Sequence, residues 1–408
     1  MNLEEYVNAY YGGLLGISKE YGIRKGDDIM DTDKTDYFNT MYGAKVFSSL
    51  NNESDIFKLL PKDPWNSSGY RMLTTRAKGA HDASGTTADG TQGIAEGADF
   101  PGTDTPDIVE LEIPLKEVVT AWDITTKAST LSKADDGLGN IEGFLKENAA
   151  TDHMYYMDNM LMAANHTHAS ANLESLDRLI GAKSELDAVG GSGSSVSAGD
   201  LDPYGATAGN FDRDGSNTHL DAQVSHPSHS SNLFPARTLS LDLLDAVISD
   251  ILEKGGKYEN LIMLTGYDTL EELKQLILST DSGTAGQGAW RMMMEAQTPQ
   301  NKGGVKSQPG MNLETRVGYY DSIPIFVSQH VLKATAAGGT SGLGTGISNI
   351  YIIDTANIGF RVAVPTTYVS NEDLGVTQKL AREYAFITGG QVYCTRFNTH
   401  GKIRDLKA

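Results

Sequence analysis

From Gly139 to His166 the apolar residues Ile141, Phe144, Leu145, Ala149, Tyr155, Tyr156, Met160 and Ala163 recur at three- and four-residue steps. That spacing predicts one face of a helix. Asn140 is placed to accept the free amides of the first turn as an N-cap. Glu142 and Lys146 stand four apart in the favourable order, and no proline interrupts the run. About 26 residues at 1.5 Å each predict a rod of roughly 39 Å, long for a globular protein. Asp152 breaks the apolar stripe, so that side of the middle is expected to be wet or hydrogen-bonded.

Upstream the pattern changes to period two. Tyr70 to Lys78 predicts a strand, and Gly79 to Gly93 is a tip of small and polar residues. Ile108 to Ile124 predicts an extended stretch whose apolar residues are first odd-numbered (Val109, Leu111, Ile113, Leu115) and then even-numbered (Val118, Trp122, Ile124). A flip of phase near Lys116 and Glu117 requires a bulge or a change of covered face. Pro114 cannot donate to a ladder, which places that part on an edge or at the bulge. As one strand of about 17 residues it would reach roughly 55 Å, farther than a compact domain accommodates, and the hairpin would project. The alternative is two shorter strands with a break.

Downstream, helical and extended signals alternate. Leu173 to Ile180 is a short apolar segment. Leu241, Leu244, Val247, Ile248, Ile251 and Leu252 form a helix stripe stopped at Gly255-Gly256. Leu261 to Leu264 reads as a buried strand and Asp268 to Leu278 as a second helix. Strands follow at Ile323 to Val327, Ile350 to Ile353, Phe360 to Val364, Glu383 to Thr388 and Gln391 to Phe397, with Gly389-Gly390 read as the turn of a two-residue hairpin. Gly190 to Pro235 is rich in Gly, Ser, Asp and His, and reads as an insertion or surface loop. Residues 1–60 carry only sparse apolar pieces, and composition leaves open a small helical subdomain or an arm packed on a neighbouring molecule.

Composition narrows the function. The 408 residues suffice for two or three domains with a real core. A single cysteine, Cys394, excludes an internal disulfide framework, so covalent strengthening would need other chemistry. A net charge of −20 argues against wrapping nucleic acid, which needs Lys and Arg to displace counterions, but is compatible with a wall around it. No signal peptide or run of 18 apolar residues is seen.

The order of arm, projecting hairpin, long helix and α/β region resembles the major capsid proteins of tailed bacterial and archaeal viruses, the Hong Kong 97-type fold. Ala95 to Pro101 is similar to the segment before the returning strand of that family's extended loop, and Glu110 to Thr125 to the strand itself. Asn140 to His166 resembles its spine helix, Leu239 to Leu278 its axial helix–strand–helix, and Val317 to Ile325, Ile350 to Asp354 and Ala381 to Phe397 its later strands. The resemblance implies an α+β chain with an N-terminal arm (1–60), an extended loop (61–128), a peripheral domain with the spine helix (129–182), an insertion (183–236), an axial domain (237–349) and closing strands (350–408).

Its functional implication is a structural protein, not an enzyme, that self-assembles as pentamers and hexamers into an icosahedral shell around double-stranded viral DNA. Other expected partners are portal, scaffold or decoration proteins, with no sequence-specific DNA contact and no membrane; the place is the virion capsid, assembled in host cytoplasm. Candidate subunit-contact residues are Glu96, Pro101, Glu110, Glu112, Lys116, Trp122, Trp290 and Met293. Two other readings are a nanocompartment shell around a cargo enzyme and a calcium-dependent surface protein. Calcium would draw on Asp212, Asp214 and Asn217, but the twelfth position of that loop is Gln223 where a bidentate Glu is required. The histidine pairs His166/His168 and His226/His229 lack the partners of a tetrahedral zinc set, and no cofactor motif is present. Cys394, in a predicted strand, reads as a small buried hydrophobe.

Overall fold

The computed structural model describes residues 56–75, 96, 107–134, 141–163, 171–185, 201–205, 213, 218–227, 237–278, 292–294, 316–333, 346–370 and 381–407. Of the predicted arm only residues 56–60 are among them; the rest of the arm, the tip Gly79–Gly93, and Asn140 lie outside. The chain divides into two units, the first holding residues 119–153 and 367–387, the second 52–118, 154–366 and 388–408.

The second unit is built on a seven-stranded sheet. Its strands are β5 (Gln223–Ser225), β7 (Leu261–Thr265), β8 (Met292–Met294), β9 (Arg316–Tyr320), β10 (Ile323–Val327), β12 (Ile350–Asp354) and β15 (Gly401–Ile403). They lie in the order β5-β15-β12-β7-β10-β9-β8. Every residue of β7 and β12 is buried, as expected of strands covered on both faces. Alternation sorts their side chains. Leu261, Met263, Ile350 and Ile352 face one core with Val247, Ile248, Ile251 and Leu273, whereas Ile262, Leu264, Tyr351 and Ile353 face another with Met157, Leu161, Leu176 and Leu179.

Helices α5 (Leu241–Glu253) and α6 (Tyr267–Leu278) therefore cover the first face. The predicted stop of α5 is present: Gly255 has φ +88°, its amide donates to Leu252 O, and that of Gly256 donates to Ile251 O at 3.0 Å. These are the two hydrogen bonds of a Schellman ending.

Helix α3 spans Ile141–Leu161, shorter than predicted. Its end tightens, with Ala163 N–H bonding Met160 O three residues back. The buried stripe also differs: Ile141, Ala149, His153, Met157, Asp158 and Leu161 are inside, while Tyr156 is 51% exposed. Asp158 is inside because it accepts the amides of Ile56 and Phe57 at 3.3 and 2.7 Å, capping the single-turn helix α1 (Ile56–Leu59). Asp152 accepts from Asn148 Nδ2 at 3.2 Å, as a break in the stripe requires.

The long extended stretch is two strands, β3 (Asp107–Glu112) and β4 (Lys116–Thr125). The break holds Pro114, which has no donor, beside Ile113, whose amide turns to Ser68 O at 2.6 Å. The glycine pair Gly389-Gly390 is no turn. It lies mid-strand in β14 (Ala381–Cys394), and the neighbouring β13 runs without a break from Ile358 to Ser370. With β1 (Lys62–Pro64) these form a sheet in the order β1-β13-β14-β4. A side chain on Gly390 would meet Arg361 O at 2.3 Å, so the pair provides clearance for a close backbone, not a left-handed φ.

The reading of Gly190–Pro235 as surface is also corrected where the structure describes it. Leu201–Tyr204, Arg213 and Leu220 are buried, and β5 pairs parallel with β15.

Candidate functional site

The hairpin of β2 (Gly69–Thr75) and β3 pairs antiparallel, with Tyr70 opposite Leu111, Arg71 opposite Glu110, Met72 opposite Val109 and Leu73 opposite Ile108. Alternation puts Tyr70, Met72, Val109 and Leu111 against the core. The other face carries Arg71, Glu110 and Glu112 and, next to them, Leu73 and Ile108, 54% and 59% exposed. Paired strands with an uncovered apolar cross-strand pair offer a contact surface. The Arg71–Glu110 ion pair, 4.0 Å and solvent-exposed, contributes little to stability.

The hairpin is fixed at its base. Tyr70 donates its hydroxyl to Cys394 O. Arg361 donates to Ser67 O at 2.8 Å, and its guanidinium lies 4.9 Å from the Tyr393 ring centre and 5.8 Å from that of Tyr70. Trp65 N–H continues the anchoring at Val362 O, 2.9 Å.

In the first unit, Trp122 stands in an aromatic shelf with Tyr368, Tyr384 and Phe386, ring centres 5.3–5.9 Å away. Lys146 lies 4.0 Å over Tyr368, and Tyr384 donates to Glu142 at 2.6 Å. Trp122 is therefore packed within its own unit, whatever contacts its remaining surface makes. Glu96 is exposed in a turn, Lys116 is half-buried at the start of β4, and Met293 lies in β8, an edge strand of the sheet. Pro101 and Trp290 lie outside the described residues, as do Asp212, Asp214, Asn217 and the histidines 166, 168 and 229.

Sequence reasoning missed a buried ionic knot in the second unit. Lys402, in β15, is fully buried and places Nζ 2.8 Å from Glu185 Oε1, 3.0 Å from Asp177 Oδ1 and 2.9 Å from Asp177 O. Arg404 Nη1 reaches the same Glu185 oxygen at 2.6 Å, and Tyr351 donates its hydroxyl to Asp177 Oδ1 at 2.9 Å. Arg213 completes the region, its guanidinium donating to the carbonyls of Arg178, Leu179, Leu201 and Leu220. The signal lay in charged residues set among apolar ones at Leu173–Ile180 and Gly401–Leu406, but alternation alone does not reveal which charges meet.

His400, two residues before Lys402 in the chain, is buried, and its Nδ1 accepts the Asp354 amide at 3.0 Å. Burial pushes its imidazole from 6.5 down to about 4, against the pull of Asp354. The unfolded chain therefore binds a proton that the folded chain refuses, and this contribution to stability is lost as pH falls from 6.5 toward 4. Between about pH 7 and pH 5, His400→Gln should lose about 2 kcal/mol less stability than the parent by urea titration. Equal acid sensitivity would show that this histidine does not set the slope.

Chemistry at the remaining groups is limited. Burial pushes the Cys394 thiol up to about 12, where it is no nucleophile. Among the described residues no group of three or more His, Cys, Asp or Glu side chains is arranged to hold a metal, and no helix is long and apolar enough to cross a membrane.

Compared with solved structures, the chain is similar over nearly its whole length to a viral capsid subunit from Cyanophage A-1(L), with 11% identity, a TM-score of 0.54, and coverage of 93% of this chain and 99% of that one. The fold is the Hong Kong 97-type capsid fold. The capsid of a native GTA particle is similar at 11% identity and TM-score 0.52, covering 94% of this chain and 98% of that one. The capsid of the empty GTA particle gives 10% identity, TM-score 0.52, and 90% and 95%. No family model matches the chain, and no curated protein matches it by sequence. The capsid fold is thus present with its sequence almost wholly replaced, as packing tolerates when size and pattern are kept.

Proposed function

We propose that the chain is a major capsid protein that self-assembles as pentamers and hexamers into an icosahedral shell enclosing double-stranded viral DNA. The observation that carries this reading is the two-way coverage: the fold matches capsid subunits from end to end, with little left over on either side. A shell function rests on interfaces, and the apolar pair Leu73–Ile108 on the outer face of an anchored hairpin is the surface best suited to a second copy. Glu110 and Glu112 beside it set register between copies more than affinity. The net charge of −20 keeps the wall from adhering to the packaged polyanion. Portal, scaffold or decoration proteins would complete the particle, formed in host cytoplasm.

The first test is electron microscopy of the purified chain, alone and co-expressed with its neighbouring genes. Closed angular shells of uniform size support the reading, and DNA inside them distinguishes a virion from a compartment holding an enzyme. A dispersed, folded monomer under both conditions would sink it. The double substitution Leu73→Asp, Ile108→Asp should leave a cooperative melting transition at a modestly lower temperature, since both side chains are more than half exposed, yet abolish shells. Normal shells from that variant would remove the hairpin face from the interface.

A further inference from the structure

The ionic knot has a composition that a simple ion pair does not need. Lys402 Nζ, with no solvent exposure, touches two carboxylates, and all three of its protons are engaged by Asp177 O, Asp177 Oδ1 and Glu185 Oε1. Glu185 is equally buried. Tyr351 donates to the Asp177 oxygen that faces Lys402. We propose that Lys402 and Asp177 condense into an isopeptide bond within the subunit, with Glu185 carrying the protons.

The step balances without any added reagent. Glu185 takes a proton from the Lys402 ammonium, and the freed Nζ attacks Asp177 Cγ, forming the N–C bond. The Cγ–O bond then breaks, and the oxygen departs as water carrying two of the three original ammonium protons; the third stays on the amide nitrogen. Nothing is oxidised or reduced. Each residue present has a part. Burial pushes the Glu185 carboxyl up, but Lys402 and Arg404 more than offset it, so Glu185 starts as a base. Tyr351, whose proton is held far above the usual phenol range by burial and by Asp177, polarises the carboxyl under attack. Ala182 N–H fixes the second Glu185 oxygen at 3.1 Å.

The surroundings also favour the product. In water a carboxylate and an ammonium are better solvated than an amide, which opposes condensation. Here both ions have lost that solvation, so converting them to a neutral amide removes two buried charges and leaves Glu185 balanced by Arg404. Holding nucleophile and carboxyl in contact supplies the high effective concentration such a reaction needs. The bond would tie β15 to the single-turn helix α4 (Leu176–Leu179), cross-linking distant parts of a chain that has only one cysteine.

The test is intact mass and peptide mapping of the purified full chain after prolonged incubation at neutral pH. The expected mass is below the sequence sum by one water, with a single peptide species joining the segments around Asp177 and Lys402. Asp177→Asn should reach the same final mass by releasing ammonia in place of water. Glu185→Gln, which keeps the size and a hydrogen-bonding end, should remain at its full sequence mass while still melting cooperatively. A parent chain that is folded, carries its full mass and yields no joined peptide overturns the proposal. The readout is made on unassembled subunits, so it is independent of whether the chain builds a shell.

Discussion

Arg213→Ala should destabilise the subunit by about 3–5 kcal/mol, the range expected when one partner of a buried charged cluster is removed. The size of the effect follows from what the guanidinium does. It is 2% exposed and donates to four backbone carbonyls, at 2.6 Å to Arg178, 2.7 Å to Leu179 and Leu201, and 3.0 Å to Leu220. Two of these carbonyls belong to the single-turn helix α4, too short to satisfy its own last acceptors. Its backbone amide is also held, by Asp202 Oδ1 at 2.8 Å. Alanine would leave those carbonyls facing a cavity, each costing about 1–3 kcal/mol if no water reaches it. Arg213→Met, which keeps most of the volume and none of the donors, should be nearly as damaging; Arg213→Lys should recover part, having three donors on one point where the fork has five. Urea midpoints of the unassembled subunits decide it. Parent-like midpoints for both Ala and Met would mean that the carbonyls find other partners and that the guanidinium is not what holds Leu201 and Leu220 to α4.

That residue also shows where the sequence stops being informative. The α5–β7–α6 run was legible because each element announces itself locally: a 3.6-residue stripe, a glycine stop, a four-residue apolar strand, a second stripe. The hairpin was legible from period two and from a proline that cannot pair. Arg213 was not, because its neighbours Asp212, Asp214 and Gly215 have the composition of a solvated turn, and its burial depends on carbonyls supplied from residues 178–179, 201 and 220. The face of α3 failed for a related reason. Apolarity favoured Tyr155 and Tyr156, but the fold buries His153 and Asp158, whose polar groups are met by Thr120 at 2.9 Å and by the amides of Ile56 and Phe57. A polar side chain can lie in a core once its partner is known, and the partners lie 33 residues away for His153 and 101–102 away for Asp158. The contact candidates divide similarly. Glu110 and Glu112 were placed outward by alternation alone, whereas Leu73 and Ile108, apolar on the same face, draw attention only after the register is fixed.

Glycine carries two meanings that a sequence does not separate: freedom to take a positive φ, and the absence of Cβ. Gly389-Gly390 looked like the first and is the second, and a pair of substitutions distinguishes them. In a two-residue hairpin turn both positions need unusual backbone angles, so alanine would be damaging at each. In the continuous strand β14 the two differ sharply. A Cβ on Gly389 meets Val364 side-chain carbons at 3.1 and 3.2 Å, a contact that a small adjustment relieves. One on Gly390 meets the Arg361 backbone oxygen at 2.3 Å and the Phe360 ring at 2.5 and 2.7 Å, and a backbone oxygen in a sheet cannot retreat without breaking its strand pairing. Phe360 is itself fully buried, edge-on to Phe57 at 4.9 Å, so its ring has no space to yield. Gly389→Ala should therefore cost under about 1 kcal/mol, and Gly390→Ala about 3 kcal/mol or more, the upper end of overpacking. The damage should also spread to the hairpin base, since Arg361, whose carbonyl is displaced, is the residue stacked against Tyr70 and Tyr393. Hydrogen exchange across residues 69–75 should then quicken in Gly390→Ala and stay at the parent rate in Gly389→Ala. Equal destabilisation by the two alanines would restore the turn and break β14 in two.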